Sequence, residues 1–146
     1  MKKGRIILLV ILVVFGAAAL VGVTLFQKQT RDVVNQAPDL QADALTLVAA
    51  FDKDSALASR TYLQKIVAVS GTVKSFDSSS VVLGDKDSPS GVVCGLDRRH
   101  YQDAANLKLG EIITMQGRCT AYEKGEEMLG VSLGTTVVLS FAGKKN

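Results

Sequence analysis

Lys65-Ile-Val-Ala-Val-Ser-Gly-Thr-Val73 is where the chain changes its hydrophobic period, and its reading decides the fold. Val67, Val69, Gly71 and Val73 alternate with Ala68, Ser70, Thr72 and Lys74. A period of two puts alternate side chains on opposite faces of a strand, the apolar set toward a core. Upstream the spacing is three and four. Leu40, Ala44, Leu47, Val48 and Phe51 fall on one helical face, with Asp39 after Pro38 as the expected N-cap. A second helical stretch runs over residues 54–63 and carries Ala56, Ala58 and Tyr62.

Downstream, Asp77-Ser-Ser-Ser80 reads as a turn and Val81-Val82-Leu83 as a second strand. Gly84-Asp-Lys-Asp-Ser-Pro89 ends that strand, and residues 91–97 form a third. Residues 98–109 look helical and stop at Gly110. Residues 111–122 alternate as a long fourth strand, Glu123-Lys-Gly-Glu126 turns the chain, and residues 128–141 make the last strand, loosened by Gly130 and Gly134. Helix, three strands, short helix, two strands is the order of a five-stranded Greek-key barrel of the OB type. The expected fold is mainly β. The expected divisions are a tail over 1–5, an anchor over 6–26, a stalk over 27–38, a helical segment over 39–64, the barrel over 65–141 and a tail over 142–146.

The chain at this point resembles the tRNA-anti-like OB-fold family of small exported bacterial proteins. Phe51-Asp-Lys-Asp-Ser-Ala-Leu-Ala-Ser-Arg-Thr-Tyr62 followed by residues 65–73 is similar to the first helix and strand of that family. Val92-Val-Cys94 is similar to its third strand, and Leu109-Gly-Glu-Ile-Ile-Thr-Met-Gln-Gly-Arg-Cys119 to its fourth. The likeness spans roughly residues 40–140. It implies an OB fold analogous to anticodon-binding domains, and it brings no catalytic residues and no cofactor. The departure is the long apolar N-terminal run, where such proteins often carry a lipoprotein signal.

That run, residues 6–26, has no charged side chain over 21 positions and follows Lys2, Lys3 and Arg5. About 20 apolar residues cross a hydrocarbon core of about 30 Å. The cation asymmetry puts the N-terminus in the cytoplasm and the C-terminal domain outside, in the periplasm or beyond the cell. A cleaved signal peptide is the alternative, with residues 6–15 as its apolar region and Gly16-Ala-Ala-Ala19 as its cleavage site. The net charge of +3 resides in this N-terminal end: residues 65–146 hold ten cations and nine acids. Proteins that grip phosphate backbones usually show a basic excess, so nucleic acid is not the expected partner.

Cys94 and Cys119 both fall in the apolar register of their strands, Cys119 in company with Ile113, Met115, Gly117 and Ala121. A disulfide closing that loop would contribute about 3–4 kcal/mol; two packed free thiols are the equal alternative. No ligand spacing for a metal and no C-x-x-C surrounds them. Arg98, Arg99, His100 and Tyr101 follow the third strand on the barrel rim and form a candidate anion or partner contact, with a solvated helix start as the plainer reading. The haem chaperone of cytochrome c maturation is another anchored OB fold. Its haem histidine sits in an H-x-x-x-Y setting, and here Ala104 occupies the tyrosine position after His100. No catalytic constellation is present.

The expectation is therefore a non-catalytic, membrane-anchored binding or assembly module outside the cytoplasm, with an envelope protein as partner. Nucleic acid or oligosaccharide is the competing ligand class. The topology is checked by fusing a reporter that works only outside the cytoplasm to Asn146: a stable fusion should be active and should stay with membranes in high salt. An inactive stable fusion would refute both the anchor and the signal peptide.

Overall fold

The computed structural model describes residues 32–146 together with Gly16, Ala17, Ala19 and Gly22. The chain divides into two compact units, Met1–Asp32 and Val33–Asn146. In the first, the four named residues are helical and exposed. The rest of the expected anchor over residues 6–26 lies outside the described residues, among which no helix is long and apolar enough to cross a membrane.

In the second unit, Asp39 starts a strand where a helix cap was expected. Its N–H donates to the Ile66 carbonyl at 2.8 Å, and its carboxylate accepts from the Ile66 N–H at 2.8 Å. These two bonds launch β1 (Leu40–Asp43) parallel to β2 (Ile66–Phe76), Leu40 opposite Val67 and Asp43 opposite Ser70. The helix begins one acid later. Asp43 accepts from the Leu45 N–H at 3.0 Å and opens α1 (Ala44–Lys53), which buries Ala44, Leu47, Val48 and Phe51. Asp54 likewise caps α2 (Ser55–Tyr62) through the Leu57 N–H.

Five strands close on one another in the order β2, β3 (Ser80–Leu83), β4 (Gly91–Leu96), β8 (Thr136–Lys144), β5 (Ile112–Glu123), and β5 returns to β2. β4 and β8 are parallel and the other barrel neighbours antiparallel. A 3-10 turn over Arg98–His100 and α3 (Tyr101–Ala105) join β4 to β5. This is the OB-type barrel with its helical insert between the third and fourth barrel strands.

The final strand differs from its expected course. The stretch expected as one strand over 128–141 breaks into a small ribbon, β6 (Glu127–Met128) with β7 (Val131–Ser132), and then β8. Leu129 and Gly130 adopt positive φ, 53° and 77°, which reverses the chain between the two short strands. β8 in turn continues to Lys144, into the residues expected as a tail. The polar stretch expected as a stalk over 27–38 also ends inside the fold, for Val33 and Val34 are buried.

Gln116 explains that burial. It is itself fully buried, and its Nε2 donates to the carbonyls of Val33 at 2.7 Å and Gln36 at 2.7 Å. Its Oε1 accepts from Lys145 Nζ at 2.6 Å. One amide thus ties the start and the end of the unit to the middle of β5. A buried amide is tolerated because its hydrogen-bonding capacity is used.

Inside the barrel, β2, β3, β4, β5 and β8 point valines, leucines and Met115 at one another, and Phe51 enters from α1. The Phe51 ring lies 4.7 Å from that of Tyr122 and 6.1 Å from that of Tyr62. Tyr122 reaches this position because β5 bulges at Thr120: Cys119 opposes Leu139, whereas Ala121 opposes Val138. The extra residue flips the faces, so Ala121 is exposed and not inward as strict alternation implies.

Both cysteines do face inward, and both are free thiols. Of the two readings left open for this pair, strand order favours packed thiols over a disulfide. Cys94 and Cys119 are each register partners of Leu139 from opposite sides, so β8 stands between them. Two strand spacings separate their Cα atoms by roughly 8–10 Å, beyond the ~7 Å that a disulfide spans. Burial pushes the Cys94 thiol up to about 12 and the Cys119 thiol to about 11. The native thiols therefore keep their protons at pH values where an unfolded chain has lost them. Stability should fall as pH rises from about 9 toward 11, and Cys94→Ala should flatten that fall. A maleimide should label both cysteines in urea and neither in the native state; rapid native labelling would contradict the packing.

Candidate functional site

The rim cluster expected after β4 is taken apart by its own local bonds. Asp97 caps the 3-10 turn through the Arg99 N–H at 3.0 Å and also receives Arg99 Nε at 2.9 Å and Nη2 at 2.7 Å. Hydrogen bonding from the Arg99 side chain is the main reason its carboxyl is held down to about 2. His100 turns the other way. Its Nδ1 lies 3.3 Å from Asp103 Oδ2, and a Cβ on Gly143 would fall only 2.7 Å from its ring, so the glycine makes room for it. Arg98 and Tyr101, both exposed, are the two of the four without such a tie among the described residues. Tyr101 and Phe76, both exposed, line an apolar groove of about 480 Å³ floored by Ala104 and Ala105. The four residues do not converge on one site.

A second rim element was not foreseen as a site. The loop from β5 to β8 carries the β6–β7 ribbon, and its neck is closed by several bonds. Buried Thr135 accepts from the Gly125 N–H at 2.9 Å and donates through the same hydroxyl to the Asp52 carboxylate on α1. Its own N–H donates to Ser90 Oγ at 3.0 Å, and its carbonyl accepts from the Gly91 N–H at 3.1 Å. Glycine is required at both sides of the neck. A Cβ on Gly125 would lie 1.9 Å from the Leu133 carbonyl oxygen, and one on Gly134 would lie 2.2 Å from the Pro89 backbone.

Beyond this stapled neck the ribbon is apolar and open. Met128, Leu129, Val131 and Leu133 are all exposed, Leu129 to 99%. A cleft of about 970 Å³ runs between the ribbon, Tyr122 and Pro89. Glu123 and Glu126 line it beside Lys124. The ligand-side surfaces of an OB barrel are this loop, the loop between its first two strands, and the outer face of strands two and three. The loop between the first two barrel strands, β2 and β3, presents Asp77, held down to about 2 chiefly by the backbone N–H of Ser79 and then by the Ser80 hydroxyl. The face of β3 and β4 offers Ser80, Val82, Val93 and Gly95, with neither charge nor aromatic ring. No continuous basic stripe crosses these surfaces. In the sequence, Gly130 and Gly134 together with apolar residues that fail to alternate were the available signal of the ribbon.

Comparison with known proteins places the fold in context. A sequence model of the tRNA_anti-like family matches residues 1–132. No curated protein matches. Among solved structures, a "putative nucleic acid-binding lipoprotein" from Klebsiella pneumoniae is similar with a TM-score of 0.51 and 17% identity, covering 76% of this chain and 100% of its own. A likeness at that identity concerns the fold alone. A "putative aspartyl-tRNA synthetase" from Leishmania major aligns at a TM-score of 0.40 and 8% identity, over 75% of this chain and 21% of its own, too distant to carry an argument.

Thr135→Val keeps the volume of the neck residue and removes the hydroxyl, leaving the Gly125 N–H and the Asp52 carboxylate without that partner. It should cost about 1–3 kcal/mol. Amide exchange over residues 125–134 should quicken well before that of β2. An unchanged exchange rate there would show that the neck does not depend on Thr135.

Proposed function

The chain belongs to the tRNA_anti-like family, and on that premise we propose that it is a membrane-anchored OB-fold binding or assembly module. It works outside the cytoplasm, is not a catalyst, and contacts a protein partner in the envelope. The anchor is read from the uncharged run over residues 6–26 and the cations before it. The partner class is carried by one observation. The barrel's long ligand-side loop is a braced ribbon with exposed Met128, Leu129, Val131 and Leu133, rimmed by more acids than cations. An apolar, rigid protrusion suits desolvation against another protein. An acidic rim repels a phosphate backbone.

Nucleic acid is the second reading, and two things favour it. Phe76 and Tyr101 offer aromatic faces along one groove, on which a base could stack. The similar Klebsiella protein is also described as nucleic acid-binding. Oligosaccharide has only the fold in its favour.

Two measurements separate the readings. A photo-crosslinking residue at position 129 or 133 of the full chain in its membrane should give one discrete protein adduct, absent when the label sits at Lys108. Single-stranded oligonucleotides should show no submicromolar binding to the full chain in detergent at physiological salt. Submicromolar binding that weakens steeply with added salt would replace the protein-partner reading with the nucleic-acid one.

A further inference from the structure

Arg118 stands on β5, opposite Ile66 of β2 on one side and Ser140 of β8 on the other. It is half-buried, and its Nε is the buried side-chain polar atom left without a hydrogen-bond partner among the described residues. No carboxylate forms an ion pair with it among those residues. The contrast with Gln116, two positions earlier on the same strand, is direct: that amide is fully bonded to the strap over residues 33–36 and to Lys145. A buried N–H with no acceptor is costly, and the cost is greater for a charged group. Long cationic side chains whose role is packing lay down their stem and leave the donors in water. Arg118 instead holds a donor out of water with nothing to meet it.

A second anomaly lies beside the first. Ser140 pairs with Arg118 and Gly143 with Gln116, so Phe141 and Ala142 together oppose Gly117. In this bulge Ala142 turns inward and is fully buried, while Phe141 turns outward, 56% exposed, at φ 56°. Left-handed backbone is unfavourable for a residue with a Cβ, and bulges re-aim side chains next to sites. Gly117 holds the bulge open, since a Cβ there would lie 2.9 Å from that of Ala142. Ser140 Oγ is 2.9 Å from Thr120 Oγ1. Thr120 Oγ1 also lies 3.5 Å from the Val138 carbonyl; when Thr120 gives its one proton to Ser140 instead, the Ser140 proton is left for an acceptor outside the protein.

We propose that Arg118, Ser140 and Phe141 form a binding site on the barrel wall for an oxyanion carried by a flat apolar group. The half-buried Arg118 side chain turns its Nε–H out of the wall to meet the oxyanion together with the Ser140 hydroxyl, and the exposed Phe141 ring lies against the apolar body. Side-on guanidinium recognition suits both phosphate and carboxylate. The site is built from β5 and β8 and does not depend on the β6–β7 ribbon or on the partner that the ribbon contacts.

The test uses the full chain in detergent micelles at constant ionic strength, with phenyl phosphate, benzoate and inorganic phosphate as probes. The Arg118 Nε–H resonance should shift saturably with phenyl phosphate or benzoate, and the stronger of the two identifies a tetrahedral or a planar headgroup. Phenyl phosphate should bind several-fold more tightly than inorganic phosphate, as a ring contact contributes. Phe141→Gly should erase that difference without lowering Tm, because glycine accepts the left-handed backbone. Arg118→Gln should abolish binding, and Arg98→Gln should leave it intact. Absence of any saturable shift at Arg118 with either aromatic probe would overturn the proposal. So would binding that survives Arg118→Gln. If Arg118→Gln does not fold, the Nε–H titration and the Phe141→Gly ratio decide alone.

Discussion

The ladder between β2 and β5, from Ile66 opposite Arg118 to Thr72 opposite Ile112, is the pairing through which the sheet becomes a barrel. It joins residues from 52 down to 40 positions apart, Ile66 with Arg118 and Thr72 with Ile112, so its loop-closure cost must be met by non-local contacts formed with it. Closure removes the open edges that a five-stranded sheet would otherwise expose, with β1 adding to β2 alongside. It also sets a circumference. β5 and β8 fit that circumference only by bulging at Thr120 and at Phe141–Ala142, and the bulges decide which side chains look in and which look out. Tyr122 reaches Phe51 because of the first, and Phe141 reaches the outer wall because of the second.

The barrel wall and the barrel rim are held by different means. On the wall, Gln116 converts a single amide into a clasp for both ends of the folded unit. On the rim, the neck of the β6–β7 ribbon depends on Thr135 and on two glycines that tolerate no Cβ. A loop anchored this firmly would lose little entropy if something docked on it. Arg98, Arg99 and His100 show the reverse. They stand together in sequence, yet Arg99 is committed to Asp97 and His100 to Asp103. Arg98 is the one cation of that run left facing outward without such a tie among the described residues.

What could be read from the sequence was local. The alternation of Val67, Val69, Gly71 and Val73 named β2, the three-and-four spacing from Ala44 to Phe51 named α1, and the order of elements named the barrel, because each follows from the period of one segment. The inward register of Cys94 and Cys119 was legible for the same reason. Their separation was not. It depends on β8 lying between β4 and β5, and strand order is a property of the closed sheet that no single segment encodes. Asp39 and Asp43 are equivalent as caps by residue type, and only the bonds of Asp39 to Ile66 made one a strand start and the other a helix start. Ala121 and Tyr122 exchanged faces at a bulge that alternation cannot foresee. The exposed ribbon, the orphaned Nε of Arg118 and the outward Phe141 exist only once β2 has met β5, because solvent access and hydrogen-bond partners are fixed by neighbours distant in the chain.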